Sequence, residues 1–258
     1  MKIRTSLAIL FILVMSFCSF ISNAQDNPDR YQGFIIWEDI VHPSEVEAYE
    51  KATQMQMELY AEQNFPSEIG IYSTSENIYY WAIAIDNYAD IDTIYMEFGK
   101  IYENAREDVD KIDAAFEGTL ESTKSWTCYW DLDLSYMPAT TEGPDEEMSF
   151  CFWNFNYVKH GQMNEMKEVY KGWVDLASEK NAKQPWYTYI VDMGKESPCL
   201  FWFSTAKDAA DFYSTNGKDM ELMGEEAWEL WRKHQSLVRK NVDQVGMIRK
   251  DLSYFLEE

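Results

Sequence analysis

The chain has 258 residues, with 22 basic against 45 acidic side chains and a formal charge of −23. A hydrophobic fraction of 46% and an aromatic fraction of 16% exclude a disordered acidic tail, and the length suits one large domain or two small ones. The charge argues against a nucleic-acid partner and against electrostatic docking on anionic lipid, because no net positive field meets the phosphates.

Lys2 and Arg4 precede an almost continuously apolar run, Leu7 to Phe20, and Ser22-Asn23-Ala24 puts small residues before Gln25. This predicts a signal peptide over 1–24 and an exported, periplasmic or secreted product. The rival reading is an uncleaved anchor helix. Cys18 follows Phe17, with no small residue at the −1 position, and does not read as a lipidation site. No later stretch is long and apolar enough to span a membrane, so no stable insertion is expected after cleavage. Cleavage leaves 20 basic and 45 acidic groups, a charge of −25. The remaining Cys128, Cys151 and Cys199 are odd in number, lie in apolar runs and lack CxxC spacing, so they read as buried free thiols rather than a disulfide framework or metal site.

The first half, 26–137, opens with an aromatic and β-branched strand, Phe34 to Val41. An apolar stripe at Ala48, Ala52, Met55 and Leu59 predicts a helix, with Ser44 and Glu47 as a capping box. Strands Glu68 to Ser73 and Ile78 to Ile85 follow, joined by the turn-like Thr74-Ser75-Glu76-Asn77. A short helix before Gly99 leads into a longer one with the stripe Ala105, Val109, Ile112, Phe116 and Leu120. Ser125 to Asp131 is the final strand. Residues 138–147, with two prolines and a glycine, read as a linker.

The second half, 148–258, repeats this order. Its strands are Phe150 to Val158, Trp186 to Val191, Cys199 to Phe203 and Gln244 to Arg249, with a turn at 192–198. Its helix stripes are Met166, Tyr170, Trp173, Ala177 and Met223, Ala227, Leu230, His234, Val238. Asp133-Leu134-Ser135-Tyr136 returns 118 residues later as Asp251-Leu252-Ser253-Tyr254. The same offset pairs Phe34 with Phe152, His42 with His160, Glu50 with Glu168 and Gly99-Lys100 with Gly217-Lys218. The chain therefore reads as a duplication with a period of 118. The repeated tetrapeptide reads as a sheet seam, with Tyr packing and Asp or Ser forming a turn.

Each half is β-α-β-β-α-β, the split βαβ or ferredoxin-like arrangement. Helices cover one sheet face, and the other face is too apolar to meet water. The predicted fold is α+β: two ferredoxin-like repeats packed sheet to sheet as an intrachain pseudo-dimeric barrel, monomeric as a chain. On element order, repeat length and apolar pattern, residues 31–258 resemble the dimeric α/β-barrel superfamily in a fused tandem form. That superfamily includes cofactor-free monooxygenases of the antibiotic-biosynthesis type, haem-degrading and haem-dependent enzymes, and members without known activity. The resemblance implies a ligand-sized space between sheets and does not choose a reaction.

Three groups of residues are candidates for chemistry. His42 and His160, at equivalent strand ends, are candidate acid–base groups, against a bland reading as polar loop residues. Trp37, Glu38, Tyr72, Trp81, Trp153, Asn154, Asn156, Tyr189 and Trp202 would form an aromatic pocket with few polar handles between the sheets, against a filled core. In the 118 register Asn154 falls on Ile36 and Asn156 on Glu38. His234 replaces Phe116 on a helix stripe. A haem-using member of the resembled superfamily can place its axial histidine on this helix, with Arg232 or Lys233 near a propionate. The expectation is nevertheless no cofactor and no metal, with haem through His234 the remote option. The functional expectation is an exported protein binding a small apolar or aromatic molecule, with cofactor-free monooxygenase-like chemistry open. The alternative is a non-enzymatic domain recognising a protein or glycan, suggested by Trp173, Trp228 and Trp231 on helices.

Overall fold

The computed structural model describes residues 31–138 and 148–256. The signal segment, Cys18 and most of the linker lie outside these residues. Among the described residues are eight strands: β1 Tyr31–Val41, β2 Gly70–Thr74, β3 Ile78–Ile85, β4 Leu120–Asp131, β5 Phe150–Val158, β6 Tyr187–Met193, β7 Cys199–Ala206 and β8 Val238–Ile248. Five helices accompany them: α1 Val46–Glu62, α2 Ala89–Asn104, α3 Arg106–Phe116, α4 Met163–Lys180 and α5 Ala209–Leu237.

The strands close into one barrel in the order β1-β3-β2-β8-β5-β7-β6-β4. Each half contributes a four-stranded sheet, and the halves join edge to edge through β2–β8 and β4–β6, both antiparallel. The sequence-derived fold thus holds, with the two inner sheet faces meeting inside a closed wall. That interior gathers residues from every strand: Ile36, Tyr80, Trp126, Cys151, Trp153, Phe155, Val191 and Phe201 are buried together, with Tyr72 and Val242 against them. Eight strands give an interior that side chains can fill. At one end Lys195 enters, donates to Glu38 at 2.6 Å, and lies 4.8 Å and 4.7 Å from the Trp126 and Phe155 ring centres. Cys128, Cys151 and Cys199 are buried free thiols, as expected, and burial pushes all three up, Cys199 to about 12.

The repeat register is not constant. Tyr49, Ala52, Thr53, Leu59 and Tyr60 are buried on α1, and their counterparts on α4 are Met166, Val169, Tyr170, Leu176 and Ala177, an offset of 117. The helix-ending Asn64 and Asn181, both left-handed, and the backbone bonds of Val41 and Val158 keep this offset. The second hairpin turn is four residues longer, so Ile78 corresponds to Cys199 at 121. The value returns to 118 at Ser135 and Ser253. In strands one residue of slip exchanges the two faces. Glu38 therefore corresponds to Phe155 and Asp39 to Asn156, which corrects the pairing of Asn154 with Ile36 and Asn156 with Glu38. The same slip sets Lys159, not His160, opposite His42.

Two local expectations also change. No capping box forms, because α1 starts one residue late, at Val46, and the Ser44 hydroxyl donates to Glu45 instead. The expected short helix followed by a longer one is reversed, because the break falls at Ala105 in the first half and Gly224 in the second, beyond Gly99 and Gly217, so that in the first half 16 residues precede 11. Gly224, at φ 64° and ψ −143°, divides α5 into two rods in a conformation that glycine alone adopts readily.

The repeated tetrapeptide stitches the halves crosswise. Tyr136 pairs with Trp186 and donates to the Ala182 carbonyl at 2.8 Å, while Tyr254 pairs with Ile69 and donates to the Phe65 carbonyl at 2.9 Å. Ser135 accepts from the Thr188 N–H, and Ser253 from the Ile71 N–H. Beside these seams Arg249 binds Glu50, and Lys167 lies 3.8 Å from Asp131, the same two positions with the charges exchanged.

Candidate functional site

The expected pocket residues do not share one space. Glu38, Tyr72, Trp153 and Tyr189 face the barrel interior, where Trp126 Nε1 donates to Glu38 at 3.1 Å. The interior cavity is about 60 Å³, below the ~150 Å³ that holds a benzene. The space between the sheets is therefore filled, because aromatic side chains from both halves interlock there. Trp37 and Trp81 face the helices of the first half, and Asn154, Asn156 and Trp202 face those of the second. His42 and His160 are exposed and line none of these cavities. Being out of register, they also lack the symmetry that singled them out.

The ligand-sized space near the predicted Asn and Trp residues lies between the outer face of the second-half sheet and α4 and α5. It measures about 380 Å³. Trp173 of α4, Trp186 just before β6, Trp202 of β7 and Trp228 and Trp231 of α5 form much of the wall, with Phe152 and Phe212 beside them. Trp228, Trp231 and His234 recur every third residue, so one side of the second rod of α5 faces the space.

The polar floor is a continuous network. Trp202 Nε1 donates to Asn154 Oδ1 at 2.6 Å, and Asn154 Nδ2 donates to Asp243. Asn156 Nδ2 donates to Asn154 and to the Tyr170 hydroxyl, and Asn156 Oδ1 accepts from Asn241 at 2.8 Å. The fourth partner is His234, whose Nε2 lies 2.9 Å from Asn156 Oδ1. A carbonyl oxygen only accepts, so Nε2 carries the proton. Nδ1 then holds a lone pair, has no hydrogen-bond partner among the described residues, and belongs to a ring that lines the cavity. Burial pulls the imidazole down from 6.5 to about 4, so the ring is neutral at pH 7.

A second acid, Asp219, is buried at the wall and accepts from the backbone N–H groups of Lys183 and Gln184 at 2.9 and 2.7 Å. Among the described residues no lysine or arginine lines the cavity. Asp219, Gln184 and Asp243 were not singled out from the sequence. Their roles depend on a loop fold and on β5–β8 pairing, which places Asn154 opposite Asp243. The tryptophans of α5 carry a signal in the Trp-x-x-Trp-x-x-His spacing, which in the sequence suits a ligand wall as well as a surface cluster.

Haem does not fit these residues as arranged. Arg232 and Lys233, the expected propionate partners, instead pair with Glu225 and Glu165 and do not line the cavity. Asp219 and Asp243 would face an anionic group. Among the described residues no cluster of three or more His, Cys, Asp or Glu is placed to hold a metal, and no helix is long and apolar enough to cross a membrane.

No protein-family model and no curated protein matches the sequence. Solved structures do match the fold. An anthrone oxidase-like protein superimposes with a TM-score of 0.59 at 9% identity, over 85% of this chain and 92% of that one. A protein described as a "putative monooxygenase" from Fusobacterium nucleatum gives 0.53 at 11%, over 86% and 94%. Another so described, from Lactobacillus acidophilus, gives 0.51 at 8%, over 84% and 93%. At such identities the likeness establishes the fold, the dimeric α/β barrel of ferredoxin-like halves, here fused in one chain.

Proposed function

We propose that this is an exported protein that binds a small neutral or phenolic aromatic molecule in the second-half cavity and oxidises it with dioxygen in a cofactor-free, monooxygenase-like reaction. The carrying observation is the juxtaposition of tryptophan walls with a neutral histidine whose Nδ1 is unshared. A phenol or enol seated against His234 donates a hydrogen bond to Nδ1, and the imidazole, held down to about 4 by burial, takes that proton only as dioxygen draws electrons from the ring; with an anthrone one oxygen atom becomes the new carbonyl and the other leaves as water with the two hydrogens of that carbon. Asn156 holds the imidazole by its opposite nitrogen and would accept the charge-strengthened hydrogen bond that forms when the ring is protonated. The acidic, cation-free lining turns away carboxylates and phosphates.

The fold shared with the anthrone oxidase-like protein supports a polycyclic phenol or ketone as the first class to try. The alternative is a surface for protein or glycan recognition: Trp228 and Trp231 are exposed as it requires, but with Trp173 they line one concave space rather than a flat patch, which favours a small ligand. Export rests on the leader pattern and is tested by the mass of the processed N-terminus, expected at Gln25.

Titration with 1-naphthol, read by tryptophan quenching, should saturate and weaken at least tenfold in Trp231→Ala. Oxygen uptake with an anthrone should be lost in His234→Phe while naphthol still binds. No saturable quenching overturns the binding reading; unchanged turnover in His234→Phe overturns the role of the histidine.

A further inference from the structure

The first half contains its own cavity, of about 400 Å³, between the outer face of its sheet and α1, α2 and α3. It is the pseudo-symmetric counterpart of the one above, but its chemistry has diverged. At offset 117 Asp39 stands where the second half has Asn156, and Trp37 where it has Asn154. The Asn154–Asn156 amide pair is replaced by an indole and a carboxyl beneath aromatic walls, which include Trp37, Trp81, Tyr60, Tyr95 and Phe98.

Asp39 is 9% exposed. Its Oδ2 accepts from the Tyr49 hydroxyl at 2.8 Å, and that hydroxyl accepts from Trp81 Nε1 at 2.7 Å. Thr123 is its other neighbour, and burial raises the carboxyl above its ordinary value. No Lys, Arg or His lines the cavity, and Asp39 forms no ion pair among the described residues. A buried carboxylate without a cation is costly, and proteins ordinarily pair it. Aromatic faces around such a group attract a cation in their own right. Glu38, one residue earlier, has Lys195 inside the barrel at 2.6 Å and the exposed Lys124 at 3.8 Å. The contrast lies in the faces of one strand: the inward acid is neutralised by the chain, and the outward acid is left to a ligand.

We infer that the first-half cavity is a second binding site, specific for an organic ammonium with an aromatic body, whose charged nitrogen pairs with Asp39 while its ring packs among Trp37, Trp81 and Phe98. This site stands independently of any activity in the second half. The second cavity also holds acids, but there two backbone N–H groups meet Asp219 and Asn154 meets Asp243, whereas a tyrosine hydroxyl and Thr123 are all that meet Asp39.

The test uses the whole chain and calorimetry with three probes of similar shape: phenethylamine, 2-phenylethanol and 3-phenylpropionate. Phenethylamine should bind at least tenfold tighter than the alcohol, and the carboxylate should not bind. Asp39→Asn should remove that preference, and Asp243→Asn, in the other cavity, should keep it. Leu120→Trp, which fills the first cavity from its rim, should abolish phenethylamine binding with the fold checked by circular dichroism; if Asp39→Asn fails to fold, Leu120→Trp decides. Equal binding of amine and carboxylate, loss of the amine in Asp243→Asn instead, or retention in Leu120→Trp each overturns the inference. Naphthol binding to the second cavity should survive Leu120→Trp, so failure of one site is distinguishable from failure of the other.

Discussion

His234 Nε2 and Asn156 Oδ1, 2.9 Å apart, tie the second rod of α5 to the outer face of β5. The bond holds a neutral imidazole in the fold, with its value lowered by burial to about 4. Above pH 6.5 the ring is neutral in both folded and unfolded chains, and it has no effect on the pH dependence. As pH falls from 6.5 towards 4, the unfolded chain takes up a proton that the folded chain refuses. Stability should therefore decline across that window by up to about 3 kcal/mol from this group. Urea unfolding at pH 7.5 and 5.0 should show the decline in the parent chain, and a markedly smaller one in His234→Phe.

The two seam serines are unequal. Ser135 Oγ accepts from Thr188 N–H and Trp130 Nε1, whereas Ser253 Oγ accepts from Ile71 N–H. Each orphaned buried donor costs about 1–3 kcal/mol. Ser135→Ala should destabilise the chain more than Ser253→Ala, as measured by chemical denaturation at pH 7.5.

Glu50 is held below its ordinary value first by its hydrogen bond with Arg249, and Asp251 is lowered by the same guanidinium. Both carboxylates contribute stability that is present above the normal acidic range. It is lost as pH falls below about 4.5, where the unfolded chain binds protons first. Arg249→Ala should cost about 1–3 kcal/mol at pH 7, between the values for exposed and buried pairs, and much less at pH 3. Thermal melts at the two pH values check this.

Glycines in this chain divide by what surrounds them. A Cβ on Gly246 would lie 2.0 Å from the Ser73 carbonyl oxygen, across the β2–β8 seam. Gly246→Ala should cost about 3 kcal/mol, at the upper end of overpacking losses. Gly99 and Gly217 lie within helices with nothing within 4 Å of a Cβ. Gly99→Ala and Gly217→Ala should each stabilise by about 0.5–1 kcal/mol in the same denaturation assay.

The duplication, the element order and the seam motif were legible because Asp-Leu-Ser-Tyr sits where both halves need the same crosswise stitch. The inner and outer faces were not. Phe34 and His42 find identical partners at 118, yet the strands that carry them run at 117, and a turn four residues longer at 192–198 hides the difference by opposing it. Strand side chains alternate, so that single residue sent Glu38 into the barrel and Asn154 and Asn156 out of it. His234 was visible as an exception on an apolar stripe. Asp243 could not be linked to Asn154 without the pairing of β5 with β8.

The exchanged charges at the two seams bear on how such halves recognise one another. The first half supplies Glu50 and Asp131, both acidic, and the second supplies Lys167 and Arg249, both basic. Two first halves joined by the same seams would set Glu50 against Asp131, and two second halves would set Lys167 against Arg249. Each would place like charges at both junctions, a penalty that unlike halves escape. The duplicated units are therefore no longer interchangeable copies. They carry complementary addresses, and the asymmetry that lets two cavities hold different chemistry is protected by the way the barrel closes.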